Sequence, residues 1–217
     1  MSPESGLVAG SRETVSPPPE LTGWAGAATA IHALQQMAMP MTLTLDVAEH
    51  GPITIDFPFH AFSWDTPFAE FPHDPTSVLV ETRPANPEQP TIALPGRPLD
   101  SLLWMIGYTA FGDRPAPWLR EGDRYRLRRW PALADIAVTL DQVRMTAMLG
   151  NAFATADELA AAAHTPPADA RRLVNAFSVT GILRRSTGAA ALELPAAAPA
   201  AEASTGLFSR LRERFGH

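Results

Sequence analysis

At 217 residues the chain is longer than a usual single domain and long enough to bury a sizeable core, yet it contains no cysteine. That excludes a disulfide framework, a thiolate metal site and a cysteine nucleophile. The net charge of -6 is unevenly spread, with 3 Arg against 12 Asp and Glu in residues 1–100 and 14 Arg against 11 in residues 101–217. An acidic total excludes a protein that coats nucleic acid by charge alone.

All 17 basic residues are arginine, and 22 prolines accompany many alanines, the composition of a high-GC genome. Met1 to Pro19 lacks a basic segment followed by an apolar run, and no stretch approaches the roughly 20 apolar residues that span a bilayer. A cytoplasmic protein without a transmembrane segment is expected.

Residues 1–20, rich in Ser, Pro and Gly without apolar period, predict a disordered leader. From Leu21 to Met39, Ile31, Leu34 and Met37 have helical spacing, and Pro40 stops the helix. Strict alternation follows: Leu43, Leu45 and Val47 against Thr42, Thr44 and Asp46, then Ile53, Ile55 and Phe57 against Thr54 and Asp56 beyond a Gly51-Pro52 loop. This is a hairpin. Trp64, Phe68 and Phe71 punctuate a Pro-rich irregular segment, Ser77 to Thr82 reads as a further strand, and Pro84 to Pro90 as a polar loop. Leu99, Leu102, Leu103, Ile106 and Ala110 line one face of a helix that should cover the sheet. Residues 21–131 thus form an α+β domain with a small antiparallel sheet and covering helices. Its last strand sets Tyr125 and Leu127 against Arg124, Arg126 and Arg128 and ends at Trp130-Pro131.

Residues 139–194 carry the sharpest local signals. Thr139 with Gln142 and Thr155 with Glu158 are capping boxes; the first opens a helix containing Leu140, Val143, Ala147 and Met148. The second opens a helix from Ala156 to Ala163 that breaks at His164. A third helix starts at Thr165-Pro166-Pro167, turns Ala170, Leu173, Val174 and Phe177 inward and ends at Gly181. Ile182 to Ser186, the turn Thr187-Gly188 and Ala189 to Leu194 then predict a second hairpin. Three helices closed by a hairpin resemble the winged helix-turn-helix family of bacterial regulators. The likeness covers about a quarter of the chain, from Glu158-Leu159-Ala160 through Arg171-Arg172-Leu173-Val174-Asn175 to Gly181-Ile182-Leu183. The run Tyr125 to Pro131 ahead of such a module is similar to that of bacterial proteins in which a winged helix accompanies a Ras-like GTPase and a roadblock protein.

The resemblance implies that the third helix enters the major groove with Arg171, Arg172, Asn175 and Ser178 outward, while Arg184 and Arg185 on the wing hold phosphate. Against that stand Asp157, Glu158 and Asp169, which repel phosphate, and the many winged helices that dock proteins instead. Arg124, Arg126 and Arg128 offer an anion or acidic-partner surface; the plainer alternative is a solvated edge strand or contact with the chain's own acidic half.

Catalytic signatures are missing: no Gly-rich phosphate loop, zinc-protease His-Glu motif, nucleophile elbow or dinucleotide fingerprint occurs. His60 with Asp65, and His73 with Asp74, are the one candidate for metal or acid-base work, whereas His32 and His164 read as structural. After a Pro and Ala linker at 195–205, residues 206–217 place Leu207, Phe208, Leu211 and Phe215 on one face of an amphipathic tail helix. Such a tail docks on a protein groove or adsorbs weakly to a membrane surface.

The sequence therefore predicts a non-enzymatic regulatory or adaptor protein, without a cofactor, that recognises a protein partner through the winged helix and the tail. A sequence-specific DNA-binding transcription regulator is the alternative, and a metal-dependent enzyme the second.

Overall fold

Alternating apolar residues at Leu43, Leu45 and Val47 and again at Ile53 and Ile55 can be buried together only if their strands pair in register, and they do. The computed structural model describes residues 22–37, 39–133 and 136–186, all within one compact unit that ends at Ser186. Strands β1 (Met41–Val47) and β2 (Gly51–Asp56) pair antiparallel with Leu43 opposite Ile55 and Leu45 opposite Ile53. The expected strand after Ser77 is β4 (Val78–Pro84), which pairs with β1 on its other edge. Two short strands missed by the alternation rule, β3 (Ala61–Ser63) and β5 (Arg97–Pro98), complete a five-stranded antiparallel sheet in the order β4-β1-β2-β3-β5.

One face of this sheet is covered by helices α1 (Gly23–Gln36) and α2 (Leu99–Ala110). Trp24, Ala27, Ala28 and Ile31 of α1, with Leu99, Leu102, Leu103 and Ile106 of α2, form one apolar cluster with the inward residues of β1 and β2. The irregular Pro-rich segment closes the end of that cluster: Phe71 stacks on Trp24 at 4.8 Å and meets Trp64 edge-on at 6.1 Å.

The second half of the unit has its own core, formed by strands β6 (Arg124–Leu127) and β7 (Leu183–Ser186) and helices α3 (Leu140–Asn151), α4 (Ala156–Ala163) and α5 (Pro167–Val179). Both capping boxes form: the Thr139 and Thr155 hydroxyls accept from the amides of Gln142 and Glu158, whose side chains accept in turn from the cap amides. α4 ends where expected, with His164 left-handed at φ 56°, and Gly181 at φ 71° terminates the turn after α5. Strand β7 pairs antiparallel with β6, Leu183 opposite Leu127 and Arg185 opposite Tyr125. The predicted wing partner at 189–194, the leader, and the tail motif Leu207, Phe208, Leu211 and Phe215 lie outside the described residues.

The two cores are joined by helix on helix. α2 meets α5 where Gly107 faces Ala176, so closely that a Cβ at Gly107 would stand 2.7 Å from the Ala176 Cα. Val179 at the end of α5 belongs to the sheet cluster, whereas Leu173, Val174 and Phe177 belong to the other. Residues 22–37, 39–131 and 139–186 thus contribute to one continuous structure. No helix among the described residues is long and apolar enough to cross a membrane.

Candidate functional site

Helix α5 was expected to present a reading face. Asn175 and Ser178, predicted to point outward, are buried instead, Asn175 completely. The reason is the segment between α2 and β6, which folds over this side of the helix. The Asn175 carboxamide bridges it, accepting from the Ala116 amide and donating to the Arg114 carbonyl, both at 2.9 Å. Trp118 donates its indole N–H to the Ser178 hydroxyl at 3.1 Å. With α2 against its opposite side, α5 is buried all round from Leu173 to Val179.

The arginines of the predicted surfaces are mostly committed to nearby acids. Arg172 pairs with Asp113 at 2.6 Å and lies 3.7 Å from Asp169, and Arg171 lies 3.7 Å from Asp157. Arg185 approaches Asp123 at 3.3 Å, whereas Arg184 is exposed on β7. Arg124 forks onto both oxygens of Glu158 at 2.7 and 2.8 Å, so one carboxylate both caps α4 and anchors the strand beside it. The arginine strand is therefore divided: Arg124 is internal support, Arg126 stands opposite Arg184 across the β6-β7 ladder, and Arg128 is exposed.

His60 is half-exposed, and its partner is Asp100 rather than the expected Asp65. The four-residue turn joining β2 to β3 puts His60 in the left-handed region, φ 52°, with its amide donating to the Phe57 carbonyl. Its Nε2 lies 2.9 Å from Asp100 Oδ1. Asp100, in the first turn of α2, is only 1% exposed and is gripped by Arg129 through two hydrogen bonds of 2.6 and 2.8 Å and by the Ala132 amide at 3.1 Å. Burial raises the carboxyl pKa, but Arg129, His60 and the Ala132 amide outweigh it and hold the group well below the usual carboxylate range. The same contact raises Arg129, against the opposing effect of burial. Arg129 ties the β6 strand end to the helix that covers the sheet; neither residue is signalled by local sequence, since they are 29 positions apart. His73 packs edge-on to Phe71, and no group of three or more His, Asp or Glu side chains among the described residues is placed to hold a metal ion.

His60 also lines a cavity of about 750 Å³ bounded by the end of α1, the start of α2, the segment carrying Trp118 and Leu119, and β6 and β7. The imidazole of His32 stacks on Trp118 in its wall, with centroids 4.1 Å apart and planes 5° off parallel. Burial lowers the His32 pKa, and its Nδ1 is buried without a hydrogen-bond partner among the described residues, so the ring is neutral near pH 7.

No family model matches the chain, and neither a curated protein nor a solved structure does.

A different surface was hidden from sequence reasoning because it breaks the usual inward rule. The buried side of α3 consists of Gln142, Met145, Thr146 and Leu149, which leaves Leu140 and Val143 outside, 64% and 41% exposed. Trp130, 60% exposed, lies against Gly150 near the far end of the same helix. Leu140 and Val143, with half-buried Ala147 next along the same side at i+7, thus make an apolar stripe whose larger members face water.

Proposed function

We propose that this chain is a non-enzymatic regulatory or adaptor protein that works through protein contacts, with its second half built as a winged helix. The observation that carries this reading is the outward apolar stripe of α3. Leu140, Val143 and Trp130 expose large apolar side chains beside a fully formed buried face, the mark of a surface that another protein covers. The winged-helix relation is supported by the order β6, α3, α4, α5, β7, with Ala154 bridging to Tyr125 between α3 and α4 and β7 returning onto β6. Burial of Asn175 and Ser178 weighs against base reading by α5, because neither side chain reaches a groove without removing the segment that covers it.

The test places a photo-reactive phenylalanine analogue at Val143 of the full chain in its native cells. A discrete protein adduct that survives nuclease and disappears with Leu140→Asp is expected. An adduct made of nucleic acid, or no adduct at all, overturns the reading.

A further inference from the structure

The cavity beside His60 has a lining biased toward positive charge. In a protein of net charge -6, none of the described residues lining it is Asp or Glu, while Arg128, Arg185, His32 and His60 are all among them. Asp100 is already held by His60 and Arg129, and Asp123 lies 3.3 Å from Arg185, its Oδ2 without a hydrogen-bond partner among the described residues. Arg128 has no carboxylate partner among the described residues and is exposed on the cavity rim. Among the described residues no acid meets the five donors of this guanidinium.

The remaining walls mix polar side chains, Gln35, Gln36, Ser178 and Thr180 among them, with an apolar portion. The stacked His32 and Trp118 rings form a flat panel, Leu99 and Leu103 of α2 close one side, and Met37 and Met39 stand at the end of α1, 55% and 64% exposed. Methionine side chains left in water around a concave space are unbranched and polarisable, suited to fold over an aliphatic or aromatic body. A volume of about 750 Å³ is that of a site for a small organic ligand.

We infer that this cavity binds a small amphipathic organic anion, with its acid group on Arg128 and its apolar body against Trp118, His32 and the methionines that follow α1. Neutral His32 adds no charge of its own, so discrimination between an acid and its uncharged analogue falls to Arg128. Contact with a charged partner strengthens a hydrogen bond enough to change affinity by about tenfold or more.

Calorimetric titration of the full-length protein with decanoate, decan-1-ol and decylammonium, below their micelle thresholds, tests this. These probes share one tail and differ only in head charge. The expected result is saturable decanoate binding at least about tenfold tighter than decan-1-ol, with decylammonium weakest. Arg128→Gln should abolish the preference for decanoate, while Arg126→Gln, at a position that does not line the cavity, should retain it. Equal affinity for acid and alcohol, no saturable decanoate binding, or equal loss in both variants overturns the inference. None of these outcomes depends on what the α3 stripe binds.

Discussion

Replacing Gly107 by alanine sets two effects against each other. In a helix interior the change gains about 1 kcal/mol of propensity. At the α2-α5 crossing the new methyl would lie 2.7 Å from the Ala176 Cα, 2.9 Å from the Asn175 carbonyl and 3.0 Å from the Val179 Cβ. Ordinary contact begins near 3.4 Å, and two of the three obstacles are backbone of a helix held on both sides, so they cannot swing away. Overpacking of this kind costs about 1–3 kcal/mol, here toward the upper end. The net effect is a destabilisation of about 1–2 kcal/mol, or roughly 2–8 °C in Tm for a protein of this size. Thermal and urea unfolding followed by circular dichroism measure it. Gly150→Ala is the internal reference, because its Cβ would meet only the Trp130 ring at 3.5 and 3.8 Å, and a small gain in stability is expected there. If Gly107→Ala were neutral or stabilising like Gly150→Ala, the close crossing of α2 and α5 would be wrong.

Three further outcomes are expected. Because the folded Asp100 pKa lies below its unfolded value, the stability it contributes is complete above about pH 4 and is lost as pH falls further toward the folded value. Urea midpoints taken from pH 6 down to pH 2 should show this loss in the wild type and a shallower one in Asp100→Asn, which also loses about 2 kcal/mol at pH 7, less than a fully buried pair because Arg129 is half in water. Asn175→Ala, which strips both backbone partners of the 114–116 segment, should cost about 2–3 kcal/mol by urea denaturation; a change within 0.5 kcal/mol, roughly what a surface site gives, would contradict its buried placement. Thr155→Ala removes a formed cap and should cost about 1 kcal/mol, read from the same curves.

Local patterns in the sequence located most elements. Alternation at Leu43 to Phe57 placed the hairpin, two capping boxes placed the starts of α3 and α4, and Gly181 marked the end of α5, because each of these signals acts over a few residues. What sequence reasoning missed depends on residues far apart. β3 and β5 are too short to show a period, and the partner of β7 is β6, nearly sixty positions earlier. Helix α3 was placed by its cap but not by its faces: its buried side includes Gln142 and Thr146, while Leu140 and Val143 look outward. Asn175 reads as a recognition residue only while the segment bearing Ala116 and Trp118 is assumed to be elsewhere. Of the cavity, sequence singled out His60, Arg128, Ser178 and Arg185, and named His32 as structural, but not that they share one space.

Because α5 serves both cores, the order of synthesis matters. Translation delivers the sheet, α1 and α2 first, and their shared interior can close at once. The side of α2 that carries Trp104 and Gly107 has no cover until residues 173–179 leave the ribosome. A nascent chain stalled before that point exposes an apolar helix face, the state that aggregates or engages chaperones. Products ending ahead of α5 should therefore be recovered as insoluble or chaperone-bound material, even though they contain the whole five-stranded sheet.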